Sequence, residues 1–120
     1  MATFTKILLS GSTGGRPIKV AASGSTGTTI HTTQASSGVV DEVWLYANNT
    51  SASQTTLTIE YGGTTNPDDR IVVAIPSKSG LSLLVPGLVL TGDGSSGRTI
   101  RIFADAPNVV NVVGYVNRIS

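Results

Sequence analysis

Apolar and polar residues alternate in short stretches along most of this chain, and turn-forming Gly, Pro, Ser, Thr or Asn interrupt them about every ten residues. A period of two is the mark of a half-buried β-strand. Thr3 to Leu9 predicts a short strand with Ile7 and Leu9 inward, and Ile18, Val20 and Ala22 predict a second after Pro17. Thr28 to Thr33 is β-branched on both sides of His31 and suits a third. Val43, Leu45 and Ala47 share one face of the next, with Trp44 and Tyr46 on the other. Leu57, Ile59 and Tyr61 alternate with Thr56, Thr58 and Glu60, and Ile71, Val73 and Ile75 lead up to Pro76. Leu81, Leu83 and Val85 run to a stop at Pro86-Gly87, and Leu88 to Leu90 continues the same edge. Ile100 and Ile102 mark a further strand, and Val109 to Ile119 the last.

No segment carries an apolar period of 3.6 with helix caps. The pattern therefore predicts an all-β chain, a single-domain antiparallel β-sandwich over residues 1–120. Two facing four-stranded sheets, about eight strands in all, make a jelly roll the expected arrangement. A chain of 120 residues fits one core.

The stretch from Asp41 to Gly62 holds the single Trp and two of the three Tyr. Antiparallel sheets usually present one face to water, whereas Val43 to Ala47 is apolar or aromatic on both. Trp44 and Tyr46 are accordingly the candidate interface, to be covered by another subunit or by the N-terminal segment. That segment, residues 1–38, is rich in Ser, Thr and Gly and reads as an arm used in assembly.

Composition narrows the function classes. Charged residues make up 12% of the chain, roughly half the usual share. A surface of hydroxyls and backbone packs against neighbours without the cost of burying charge. The net charge is +1 and the basic residues are scattered, with Arg98 and Arg101 near each other, so no phosphate-neutralising face is expected and no nucleic-acid partner. The absence of Cys excludes disulfides and thiolate metal sites. No signal-peptide pattern and no apolar run of about 20 residues is present, which predicts synthesis in the cytoplasm and no membrane partner.

Candidate chemistry is sparse. His31, the only His, has no neighbouring Asp or Glu in the sequence and reads as a plain strand or interface side chain, since metal sites and catalytic triads need more partners. Asp68 and Asp69 follow Asn66-Pro67, a turn more than a calcium loop. Gly-Ser-Thr-Gly occurs at Gly11–Gly14 and Gly24–Gly27 without the Lys or helix of a phosphate loop, and both copies read as turns. Asn48 and Asn49 each open a glycosylation sequon but are expected as turn residues. No pair of carboxylates shares a face at a glycosidase-like spacing. The expectation is a non-enzyme with no catalytic residues, no metal and no cofactor.

From Val43 onward the chain runs VWLYANNT, TLTIEYGG, IVVAIP, LSLLVPGLVL and TIRIFADAPNVVNVVGYVNRI. This order resembles the small β-sandwich structural proteins of tailed bacteriophages, and in size and low charge it is most similar to capsid decoration (cement) proteins. The resemblance implies a virion subunit, commonly a homotrimer, bound to the major capsid protein on the outside of the head. Two alternatives stand beside it. One is a tail, neck or head-fibre subunit; the other is a carbohydrate-binding jelly roll with Trp44, Tyr46 and Tyr61 stacking sugars and Asp68 and Asp69 holding calcium.

Overall fold

The computed structural model describes residues 2–120. Nine strands build it: β1 (Phe4–Leu8), β2 (Ile18–Lys19), β3 (Thr28–Thr32), β4 (Val40–Asn49), β5 (Thr55–Tyr61), β6 (Arg70–Ile75), β7 (Ser82–Thr91), β8 (Thr99–Ala104) and β9 (Val110–Ile119). No helix forms among the described residues. One sheet, A, has the order β1-β9-β4-β7, with β2 also on β9; the other, B, has the order β3-β8-β5-β6. All pairings are antiparallel. The expected all-β, single-domain sandwich is what the chain forms.

The alternating pattern does what its chemistry requires. Val43, Leu45 and Ala47 on β4, with Val112 and Val116 on β9, turn inward from sheet A, and Leu57, Ile59, Ile100 and Ile102 meet them from sheet B; all are fully buried. At about 1.5–3 kcal/mol for each large aliphatic side chain, this double layer is the main source of stability. β4 and β9 lie at the centre of sheet A and pair over ten residues, which places Asp41 directly opposite Arg118 and Trp44 opposite Tyr115.

Three local expectations need correction. The strand containing Leu83 does not stop at Pro86-Gly87 but runs on to Thr91, because two register shifts let β7 pass the Pro while staying paired to β4. Pro is tolerated there because β7 is an edge strand. Leu81 and Leu83 face solvent, and Leu84 instead packs against the core beside Val85. The loop expected from Asn48 begins later, since β4 extends through Asn49.

The leading segment contributes β1, β2 and β3 to the sandwich, each on an edge position. The segment after Leu9 runs along β3: the Gly11 N–H donates to the Ile30 carbonyl at 2.9 Å, and the Thr32 N–H donates to Ser10 Oγ at 2.7 Å.

Candidate functional site

Two places concentrate side chains that an ordinary sandwich would not need: the outer face of sheet A and a buried polar cluster between the sheets.

The register puts Phe4, Lys6 and Leu8 of β1 beside Ile119, Asn117 and Tyr115 of β9. Glu42, Trp44 and Tyr46 of β4 come next, followed by Val89, Pro86 and Leu83 of β7. Phe4 is 72% exposed and Leu8, Leu83 and Val89 are each at least half exposed. Trp44 stacks on Tyr115 with ring centroids 6.3 Å apart and planes 15° from parallel. Lys6 Nζ lies 4.8 Å from the Tyr115 ring centre. The Trp44 indole N–H donates to Glu42 Oε1 at 2.8 Å, and Asn117 Nδ2 donates to the same oxygen at 3.0 Å. These two bonds, the one from Trp44 first, hold the Glu42 carboxyl below its usual range. Gly87 sits under the indole, where a Cβ would lie 2.8 Å from the Trp44 ring.

Trp44 and Tyr46 thus share one face, as expected, and both remain half-buried. The N-terminal strand does not cover them; it lies beside β9 and extends their face. Tyr61 belongs elsewhere. It turns inward from sheet B with its hydroxyl buried, so it forms no platform with Trp44 and Tyr46; Tyr115 joins Trp44 instead. That partner was recoverable only through the pairing of β4 with β9.

The second cluster centres on Asp41, which is fully buried. Its Oδ1 accepts from Arg118 Nε at 2.8 Å, and its Oδ2 accepts from Arg118 Nη2 at 2.8 Å and from His31 Nε2 at 2.7 Å. His31 Nδ1 accepts from the Ser10 N–H at 3.0 Å. An acceptor at Nδ1 requires the neutral tautomer protonated on Nε2, so the Nε2–H donates to Asp41. A bulge in β3 makes this possible. Thr29 pairs with Arg101 and His31 with Ile100, leaving Ile30 as the extra residue and turning His31 toward sheet A.

The electrostatics follow from that geometry. Burial lowers the His31 pKa, partly opposed by the hydrogen bond and charge of Asp41. Burial alone would raise the Asp41 pKa, but the bonds from Arg118 and His31 outweigh it and the net direction is down. Tyr61 is pushed up to about 12 by burial and by the Asp41 charge. Both nitrogens of His31 are engaged, Nε2 by Asp41 and Nδ1 by the Ser10 main-chain N–H, so this cluster has no free base. What it does is tie β3 of sheet B to β4 and β9 of sheet A.

The remaining candidates resolve into turns. Asp69 Oδ2 accepts from the Thr65 N–H at 3.0 Å, closing the 65–69 turn. Among the described residues no group of three or more His, Asp or Glu comes together as a metal site. Asn49 is buried, donating to the carbonyls of Ser53 and Ile75 and accepting from the Ser51 N–H and hydroxyl, so its sequon amide is spent on the loop. Arg98 donates to the Thr91 and Gly92 carbonyls and acts as a loop clip. No ligand-sized cavity opens among the described residues. Among the described residues no helix is long and apolar enough to cross a membrane.

The chain matches no known protein family, no characterised protein and no solved structure.

Proposed function

We propose that this protein is a virion structural subunit, a capsid decoration protein that self-associates and binds the outside of a tailed-phage head to stabilise it. The observation that carries the reading is the outer face of sheet A, where Phe4 and Leu8, Tyr115, Trp44 and Tyr46, and Leu83 and Val89 bring apolar and aromatic side chains of four strands side by side. With strands of up to ten residues, it measures about 600 Å² at roughly 3.3 Å per residue and 4.8 Å between strands. That outline is at the upper end of the patches a monomer exposes, which often mark interaction sites, and four of its apolar side chains, Phe4, Leu8, Leu83 and Val89, are at least half exposed. The charges at its outward positions are few, Lys6, Lys19 and Glu42, and Lys6 and Glu42 already have partners on the face. Low charge in the middle and an aromatic pair at the centre are what a protein interface uses.

The strand order supports the jelly-roll part of the proposal. β2, β9, β4 and β7 facing β3, β8, β5 and β6 is the order of two four-stranded sheets in a jelly roll, in which consecutive strands from β2 on cross between the sheets except at the β5–β6 hairpin. On this reading the partners are further copies of the chain, as a trimer, and the major capsid protein. No nucleic acid or membrane is involved, and no enzymatic step is needed.

Light scattering on the purified protein and co-sedimentation with expanded heads test the proposal. A defined oligomer that pellets with heads is the expected result. A monomer at high concentration that stays in the supernatant overturns it.

A further inference from the structure

The four sheet edges are not alike. An open edge presents unpaired main-chain groups to any other strand, and natural sheets blunt it with Pro, bulges, charges or covering loops. β7 carries Pro86 and two register shifts. The β1/β2 edge is broken into two short strands and carries Lys6 and Lys19. β3 is bulged and is covered by the Ser10–Gly11 segment. β6 keeps such devices only at its ends, Arg70 at its first residue and Pro76 just past its last. It pairs with β5 in unbroken register from Arg70 to Ile75, and Ile71 to Ile75 contains no Pro, Gly or charge.

The ladder shows which of its groups are free. The Tyr61 N–H donates to the Asp69 carbonyl, which starts an alternation in which Ile71, Val73 and Ile75 bond to β5. The main-chain groups of Val72 and Ala74 therefore point out of the sheet edge. Both residues are exposed, Val72 at 63%. Ile71 and Val73 turn toward the core yet stay half-buried, because sheet A does not reach over them completely.

We propose that β6 is a pairing edge, and that its occupant is β6 of a second copy of this chain, antiparallel about a two-fold axis at Val73. In this register Val72 and the partner's Ala74 exchange main-chain hydrogen bonds. Ile71 lies opposite the partner's Ile75, and Arg70 opposite the partner's Pro76, so no like charges meet. The half-buried Val73 gains cover from its own copy and Ile71 from the partner's Ile75, which continues the hydrophobic core across the axis. Pro76 at one end and the turn closed by the Arg70 N–H on the Pro67 carbonyl at the other confine the contact to this segment. A two-fold contact of this kind closes on itself. It uses none of the residues of the sheet A face and stands whether or not that face binds a capsid; in a trimer it would join one trimer to the next.

The test is a charge swap on the paired positions, read by sedimentation velocity across a concentration series. The double variant Val72→Lys with Ala74→Lys sets like charges opposite each other twice and should weaken pairing about ten-fold or more. Val72→Lys with Ala74→Glu sets opposite charges across the axis and should retain pairing. Thermal melting of both variants checks that each is folded, as expected for exposed positions. In the wild-type chain the amide protons of Val72 and Ala74 should exchange more slowly as concentration rises. Concentration-independent exchange at these amides, equal association of the two variants, or loss of pairing in both overturns the proposal. Trp44→Ser, which alters the sheet A face, should leave the β6 contact unchanged.

Discussion

Replacing Asp41 with Asn probes the buried cluster at its centre. The change keeps the shape of the side chain, removes its charge, and turns an acceptor into an amide group facing donors. Asp41 accepts three hydrogen bonds while fully buried. Removing one partner of a buried ion pair usually costs about 3–5 kcal/mol. The Arg118 side chain is 20% exposed and can recover some hydration, so the lower end, about 3 kcal/mol, applies here. A domain of this length shifts its Tm by about 4 °C per kcal/mol, which predicts a loss of about 12 °C. Urea denaturation at pH 7 measures the difference through the midpoint at constant m. A loss below about 1 kcal/mol would falsify the view that this cluster fastens the two sheets.

The same cluster fixes the sign of the pH dependence. The folded-state pKa of His31 is lowered, so the unfolded chain binds a proton first as pH falls through the ordinary histidine value. Stability is therefore full above that value and declines below it, at up to about 1.4 kcal/mol per pH unit. Protonation at Nδ1 would also set its new N–H against the Ser10 N–H that it now accepts. Asp41, also lowered, adds a second loss once pH falls below the ordinary aspartate value. His31 is the only histidine, so the slope between pH 7 and 5 should largely vanish in a His31→Gln variant, whose stability at pH 7 is lower. An unchanged slope in that variant rules out His31 as its source.

Three further outcomes follow from particular contacts. Trp44→Ser removes the stack on Tyr115 and the bond to Glu42, and should cost about 1–2 kcal/mol while weakening self-association measured by light scattering; an unchanged oligomer and Tm would show the indole to be idle. Glu60 is buried and accepts from Ser25 Oγ at 2.6 Å and from the Gly27 N–H at 2.7 Å, so Glu60→Ala should cost about 1–3 kcal/mol and open the 23–27 loop to limited proteolysis. Gly114 on β9 has no room for a side chain, since a Cβ there would stand 2.0 Å from the Trp44 carbonyl oxygen. Gly114→Ala must therefore displace the β4–β9 ladder; its soluble yield should fall sharply, and a wild-type melting curve would contradict the packing described.

What could be read in the residues was whatever depends on local periodicity. Val43, Leu45 and Ala47, or Leu57 and Ile59, alternate strictly, and burial of that face against a second sheet is the one arrangement that satisfies them. The two-sided character of β4 was legible for the same reason, and with it Trp44 and Tyr46 as an outward pair. Turn chemistry placed the Asn-Pro-Asp-Asp segment, where Asp69 closes its own turn.

His31 shows where such reading ends. Alternation through TTIHTT places Ile30 and His31 on opposite faces, and the nearest carboxylate pattern is ten residues away. One extra residue in β3 sends both side chains inward, and the crossing from sheet B to sheet A brings Asp41 to 2.7 Å. Arg118, separated from Asp41 by 77 positions, arrives only because β9 returns antiparallel beside β4. Bulges, register and strand order are set by the summed packing of both sheets, and no local pattern encodes that sum. The sequence by itself determined a two-layered β chain with a low-charge exterior of hydroxyls and backbone. The tertiary structure decided that Tyr115 rather than Tyr61 backs Trp44, that the lone histidine is a buried fastener between sheets, and that β6 is the edge left open.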